Sequence, residues 1–136
     1  MNKYEIIVDL NITDFTCDPR ELTEALGVQP TRAWRKGELK NPRAIVRHEE
    51  NGWELSSGAG SHKSFEQHTE ALLGIIEPAL DKFTEVCNRY DTRLLVVASM
   101  YYDNEERLPW LGFNRRAMRI FTQIGAAVDF DLYVLP

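Results

Sequence analysis

Two aspartates, Asp129 and Asp131, stand two positions apart near the end of the chain. On a strand this spacing puts both carboxylates on one face, opposite Val128, Phe130, Leu132 and Val134. Paired carboxylates can ligate a divalent cation or exchange protons in general acid–base chemistry. Either task needs further ligands or a partner of shifted pKa. His62 and His68 are six positions apart, which suits neither helical spacing for a ligand pair, and His48 stands alone. The chain has no G-x-S-x-G, and the glycines of SSGAGS (56–61) lack the lysine of a phosphate loop. No catalytic residue, metal ligand or cofactor is assigned. A solvent-facing or arginine-paired strand is the preferred reading of Asp129 and Asp131.

The charge layout says more. Residues 30–47, PTRAWRKGELKNPRAIVR, hold six cations, Arg32, Arg35, Lys36, Lys40, Arg43 and Arg47, against Glu38 alone. The window is +5 in a chain of net charge −5, and Trp34 sits among the cations. As a nucleic-acid patch, the cations would neutralise phosphates while Trp34 stacks on a base. As an anion pocket, two or three of them would converge on a phosphate or carboxylate. As a structural feature, they line an exposed turn and an edge strand whose charge discourages pairing with other sheets. The structural reading is preferred.

A second window, residues 107–119, holds Arg107, Arg115, Arg116 and Arg119 with no acid, and contains Trp110. If a helix starts at Asn114, Arg115 and Arg116 occupy its first turn, where the helix dipole disfavours a cation by about 0.3–1 kcal/mol. Arg115 and Arg119 also form a like-charge i,i+4 pair. A bound anion at that N-terminus would relieve the conflict. Ion pairs to acids elsewhere would do the same and are preferred, with Asp129, Asp131 or the Asp103, Glu105, Glu106 cluster as candidates. If the windows converge, the anion-binding candidates are Arg32, Trp34, Arg35 and Lys36 from the first, with Arg115, Arg116 and Arg119 from the second.

The elements that would position these residues follow from periodicity. Residues 4–12 alternate apolar and polar, as a half-buried strand does. Asp18 and Pro19 fit the cap and first position of a helix carrying Leu22, Ala25 and Leu26, with Gly27 as its stop. Residues 43–48 and 52–56 predict a hairpin turning at Asn51-Gly52. Residues 62–90 carry a helical apolar stripe that keeps its phase across Pro78, which predicts a kinked helix or two nearly collinear ones. Residues 92–101 are apolar on both faces, predicting a central strand covered on both sides. A helix over 114–124, stopped by Gly125, and a strand over 126–134 complete the chain. This order predicts an α+β fold: a mainly antiparallel sheet of about five strands with helices mostly on one face, built as a ferredoxin-like core with an added helix–strand unit.

At 136 residues, 43% hydrophobic and 27% charged, the chain has the composition of one globular domain. MNKYEIIVDLNITD is neither a signal peptide nor a membrane span. Cys17 and Cys87 stand far apart in no metal spacing, and reduced thiols in a cytoplasmic protein are expected. The acidic balance argues against bulk nucleic-acid binding and favours, for a protein partner, a basic one.

PTRAWRKGE at 30–38, Trp53 after the Asn-Gly pair, and IGAAVDFDLYVL at 124–135 together resemble a bacterial family known as domain of unknown function 4279. The resemblance covers nearly the whole chain and implies a small bacterial α+β domain. It carries no activity, cofactor or catalytic residue. Small bacterial families of this kind often serve as antitoxin or immunity partners, an analogy that raises that expectation. The expected function is therefore direct binding of a toxin, possessing no catalysis. The candidate contacts are Asp103, Glu105 and Glu106, with Tyr101 or Tyr102 as aromatic anchors. An anion- or small-ligand-binding module built on the two windows is the alternative.

Overall fold

Local capping chemistry sets most of the helix boundaries. The computed structural model describes residues 4–103 and 109–135. Strand β1 runs Tyr4–Thr13, and helix α1 follows over Pro19–Leu26. Asp18 caps α1 by accepting the Arg20 N–H at 2.9 Å, Pro19 opens it, and Gly27 ends it at φ 67°, a left-handed conformation that suits glycine. Strand β2 is Arg32–Trp34 and β3 is Gly52–Ser56. Helix α2, Phe65–Ile76, begins with a capping box between Ser64 and Gln67. One 3-10 turn, Glu77–Ala79, contains Pro78 and joins α2 to α3, Leu80–Arg89. The apolar stripe over 62–90 is therefore two helices with a break at the proline. Strand β4 is Arg93–Asp103, α4 is Arg115–Gln123 and β5 is Ala127–Leu135.

The strands form one sheet in the order β2-β3-β1-β4-β5. The pairs β2–β3, β3–β1 and β1–β4 are antiparallel, while β5 runs parallel to β4. The first four strands with their helices have the connectivity and strand order of the split βαβ, ferredoxin-like arrangement. The α4–β5 unit extends it past β4. The helices lie on one face. There, Ile6, Val8, Leu10 and Ile12 of β1 and Leu94, Val96, Ala98 and Met100 of β4 are all buried. Trp53 of β3 is buried in the same layer. Its indole N–H donates to Thr23 Oγ1 at 3.0 Å, and its ring meets Phe83 edge-on.

Two expectations need correction. Residues 43–48 form no strand, and among them only Arg47 makes an isolated bridge, to Leu39. The partner of β3 is β2, inside the first cationic window, with Ala33 opposite Trp53 and Trp34 opposite Gly52. Asn51-Gly52 is thus not a tight turn. The Asn51 side chain accepts the Lys36 N–H and donates to the Phe15 and Cys17 carbonyls, tying three segments together. Gly52 leaves room for Trp34, whose ring atoms would lie 2.1 Å from any Cβ built there. The second correction concerns β4. It lies inside the sheet, but helices cover one face only, and Leu95, Val97, Ser99 and Tyr101 on the other stay partly exposed. Cross-strand neighbours rather than a second layer accompany this outer row.

Candidate interaction surface

The uncovered sheet face is a grid set by strand register. One row reads Glu5, Tyr101, Tyr133; the next Ile7, Ser99, Asp131; the next Asp9, Val97, Asp129. The Tyr101 and Tyr133 rings stack with centroids 4.8 Å apart and planes 15° apart. Strands β1, β4 and β5 carry five acids among the described residues, Glu5, Asp9, Asp103, Asp129 and Asp131, and by alternation all five fall on this face. Among the described residues of these three strands, Arg93 is the one cation on it. The shared face of Asp129 and Asp131 is as expected. Among the described residues, no group of three or more His, Cys, Asp or Glu side chains is arranged to hold a metal ion. Of the proposed aromatic anchors, Tyr101 faces the open side, whereas Tyr102 packs against the core. Glu105, Glu106 and Arg107 lie outside the described residues.

The first cationic window borders the β2 end of the same face. Arg32 lies 3.7 Å from Glu54 and sits over the Trp34 ring at 4.9 Å, and Trp34 stacks on His48 at 4.6 Å. Asn11, Glu54, Arg32 and Trp34 line one side of an open cleft of about 710 Å³, and Lys40, Asn41, His48, Glu49 and Glu50 line the rest. Burial, and then the nearby Asp9 charge, pushes the Glu54 carboxyl above its ordinary value. Burial and the Lys40 and Arg32 charges hold His48 below its own.

Arg35 points elsewhere. It donates to Asp18 Oδ2 through two nitrogens, at 2.7 and 3.0 Å, and meets Glu38 at 3.3 Å. The Arg20 N–H and this guanidinium hold Asp18 below the usual carboxylate range. One carboxylate therefore caps α1 and anchors the basic turn. The turn's threonine is structural as well: the Thr31 N–H donates to the Glu54 carbonyl and the Thr31 hydroxyl accepts the Ser56 N–H, each at 2.8 Å. Lys36 contributes its backbone N–H to Asn51, and its side chain is exposed.

In the second window, Arg116 and Arg119 have acid partners of their own. Asn114 caps α4 by accepting the Ala117 N–H at 2.9 Å. Arg116 bridges Glu70 at 2.6 Å and Glu77 at 2.9 Å, and Arg119 reaches Glu77 at 3.6 Å. The acids that meet Arg116 and Arg119 thus come from α2 and the 3-10 turn rather than from β5. Arg116 holds the Glu77 carboxyl below its ordinary value. Arg115 is exposed. The windows are not brought together: β2 is one edge of the sheet, α4 leads into β5 at the other, and three strands lie between.

One polar pair had no signal in the sequence. Ser57 Oγ lies 2.7 Å from His68 Nδ1, both side chains are buried, and His68 Nε2 has no partner among the described residues. Burial holds His68 below its ordinary pKa, so the ring is neutral at pH 7. The pair clamps the end of β3 to α2. Its burial gives a substrate no approach to the hydroxyl.

The chain belongs to the family described as domain of unknown function DUF4279, whose model matches residues 2–135. No curated protein and no solved structure matches it. No helix among the described residues is long and apolar enough to cross a membrane.

Proposed function

We propose that this is a cytoplasmic binding protein without catalysis that captures a basic protein partner, as an immunity or antitoxin-type protein captures a cationic toxin domain. The observation that carries this reading is the uncovered face of β1, β4 and β5: among their described residues it holds five acids and one cation together with the Tyr101–Tyr133 stack and the apolar Ile7, Leu95 and Val97. Aromatic anchors inside a charged rim suit a protein interface. The acidic surplus would speed encounter with a basic partner by electrostatic steering. Co-expression with the product of the neighbouring gene tests it. A co-purifying complex and relief of growth inhibition are expected, and their joint absence sinks the proposal.

A second reading rests on the cleft of about 710 Å³ beside Trp34, a volume suited to a small ligand. Arg32, Lys40 and the Trp34–His48 stack would there bind an anion without help from α4. Trp34 fluorescence, read in a variant with the other two tryptophans replaced by phenylalanine, should respond to inorganic phosphate. A flat titration removes this reading.

A further inference from the structure

The two edges of the sheet are treated differently. β2 is three residues long, begins with Arg32 and is followed by Arg35 and Lys36, a charged and short edge that resists pairing. β5 is nine residues long, and among the described residues no strand pairs with its outer side. Phe130, Leu132, Tyr133, Val134 and Leu135 are each 42–55% exposed. They project from both faces of the strand, so covering either face alone would leave apolar surface in water. A strand added to this edge would cover both and would satisfy the free backbone groups.

We infer that the added strand is β5 of a second copy, running antiparallel about a two-fold axis at Leu132. The sequence AVDFDLYVL is complementary to itself in that register. Leu132 faces Leu132, Phe130 faces Val134, Asp131 faces Tyr133 and Asp129 faces Leu135. Aromatic and β-branched residues make favourable cross-strand pairs, and a tyrosine hydroxyl can donate to an aspartate. No aspartate faces an aspartate. Moving the axis to Asp131 sets that carboxylate against itself, a destabilising pairing. Antiparallel pairing through the same edge relates the copies by an axis normal to the sheet, so both keep the same face up and Asp129 and Asp131 stay on the open face of the joined sheet. The favoured register keeps both helix layers on one side and joins two five-stranded sheets into one. The dimer goes beyond the proposed capture of a basic partner and stands without it.

Crosslinking of the full chain tests both association and register, in a Cys17→Ser, Cys87→Ser background. Directly opposed antiparallel residues have Cα atoms roughly 4.5–5.5 Å apart, inside the disulfide range. Leu132→Cys should therefore oxidise to a covalent dimer. The two copies of Val134→Cys would lie roughly 13 Å apart along the strands and should not crosslink. Light scattering should give twice the monomer mass for the unmodified chain at micromolar concentration. Leu132→Lys should give a monomer with an unchanged circular dichroism spectrum. A monomeric unmodified chain overturns the inference, as does crosslinking at position 134 equal to or better than at 132. A stable dimer that binds no basic protein leaves this inference intact and removes only the proposed function.

Discussion

Gly52 and Glu54, two positions apart on β3, show how one strand carries opposite constraints. Any side chain at Gly52 collides with Trp34, which is itself held between Arg32 and His48. Gly52→Ala is expected to destabilise the fold by about 1–3 kcal/mol, the usual range for overpacking. Urea denaturation and the emission of Trp34 would report the loss and the displaced ring together. Glu54 carries the reverse sign. Its folded-state pKa lies above the ordinary 4.5, so its favourable contribution is complete below that value and is lost as pH rises through the raised one. Glu54→Gln should therefore raise the urea midpoint at pH 7 and leave it nearly unchanged at pH 4. A loss at pH 7 that shrinks at pH 4 would show that the 3.7 Å contact with Arg32 outweighs burial and the Asp9 charge. Asp18 and Glu77 behave in the ordinary acidic way: their pKa values are lowered, so their stabilisation is present above about pH 4.5 and fades as pH falls.

At the scale of elements, what was legible in the sequence was what is local. Asp18 and Asn114 cap their helices, Gly27 ends one, and Pro78 breaks another, because each effect acts within a turn of its own residue. The strand partner of β3 was hidden for the opposite reason. β2 has three residues, too few for an alternation pattern, and its place is set by Trp34 over Gly52 and by Asn51 bonding three separate segments. Asn51-Gly52 has turn composition, but here the amide serves as a tertiary tie. Ion-pair partners were illegible too: Glu70 and Glu77 reach Arg116 only because α2 and α4 share a face of the sheet. The α4 junction gives a direct measurement. Asn114→Ala removes the cap and should cost about 1 kcal/mol in the unfolding free energy. Asn114→Asp should retain the cap but place its carboxylate beside Glu70, so its midpoint should recover as salt screens that repulsion.

The whole molecule separates its charges across one sheet, with cations around β2 and acids on the open face of β1, β4 and β5. A basic partner approaching that face should associate at a rate that falls steeply with added salt. Asp129→Lys with Asp131→Lys should slow association and flatten its salt dependence, as stopped-flow mixing would show, with little change in thermal stability. A salt-independent rate in the unmodified chain would place the contact elsewhere.

The central position of β1 has a consequence for synthesis. Ile6 pairs with Met100, so the first strand made waits for a neighbour most of a chain length later. At roughly 5–20 residues per second, the ribosome leaves β1 without β4 for about 5–20 s. During that interval Ile6, Val8, Leu10 and Ile12 form an apolar ribbon that can meet other nascent chains. Stalled chains ending before Arg93 should be cleaved readily by protease, and chains extended past Leu135 far enough to clear the exit tunnel should resist. The timing of translation, as much as the final fold, then governs how much of this protein reaches its native state.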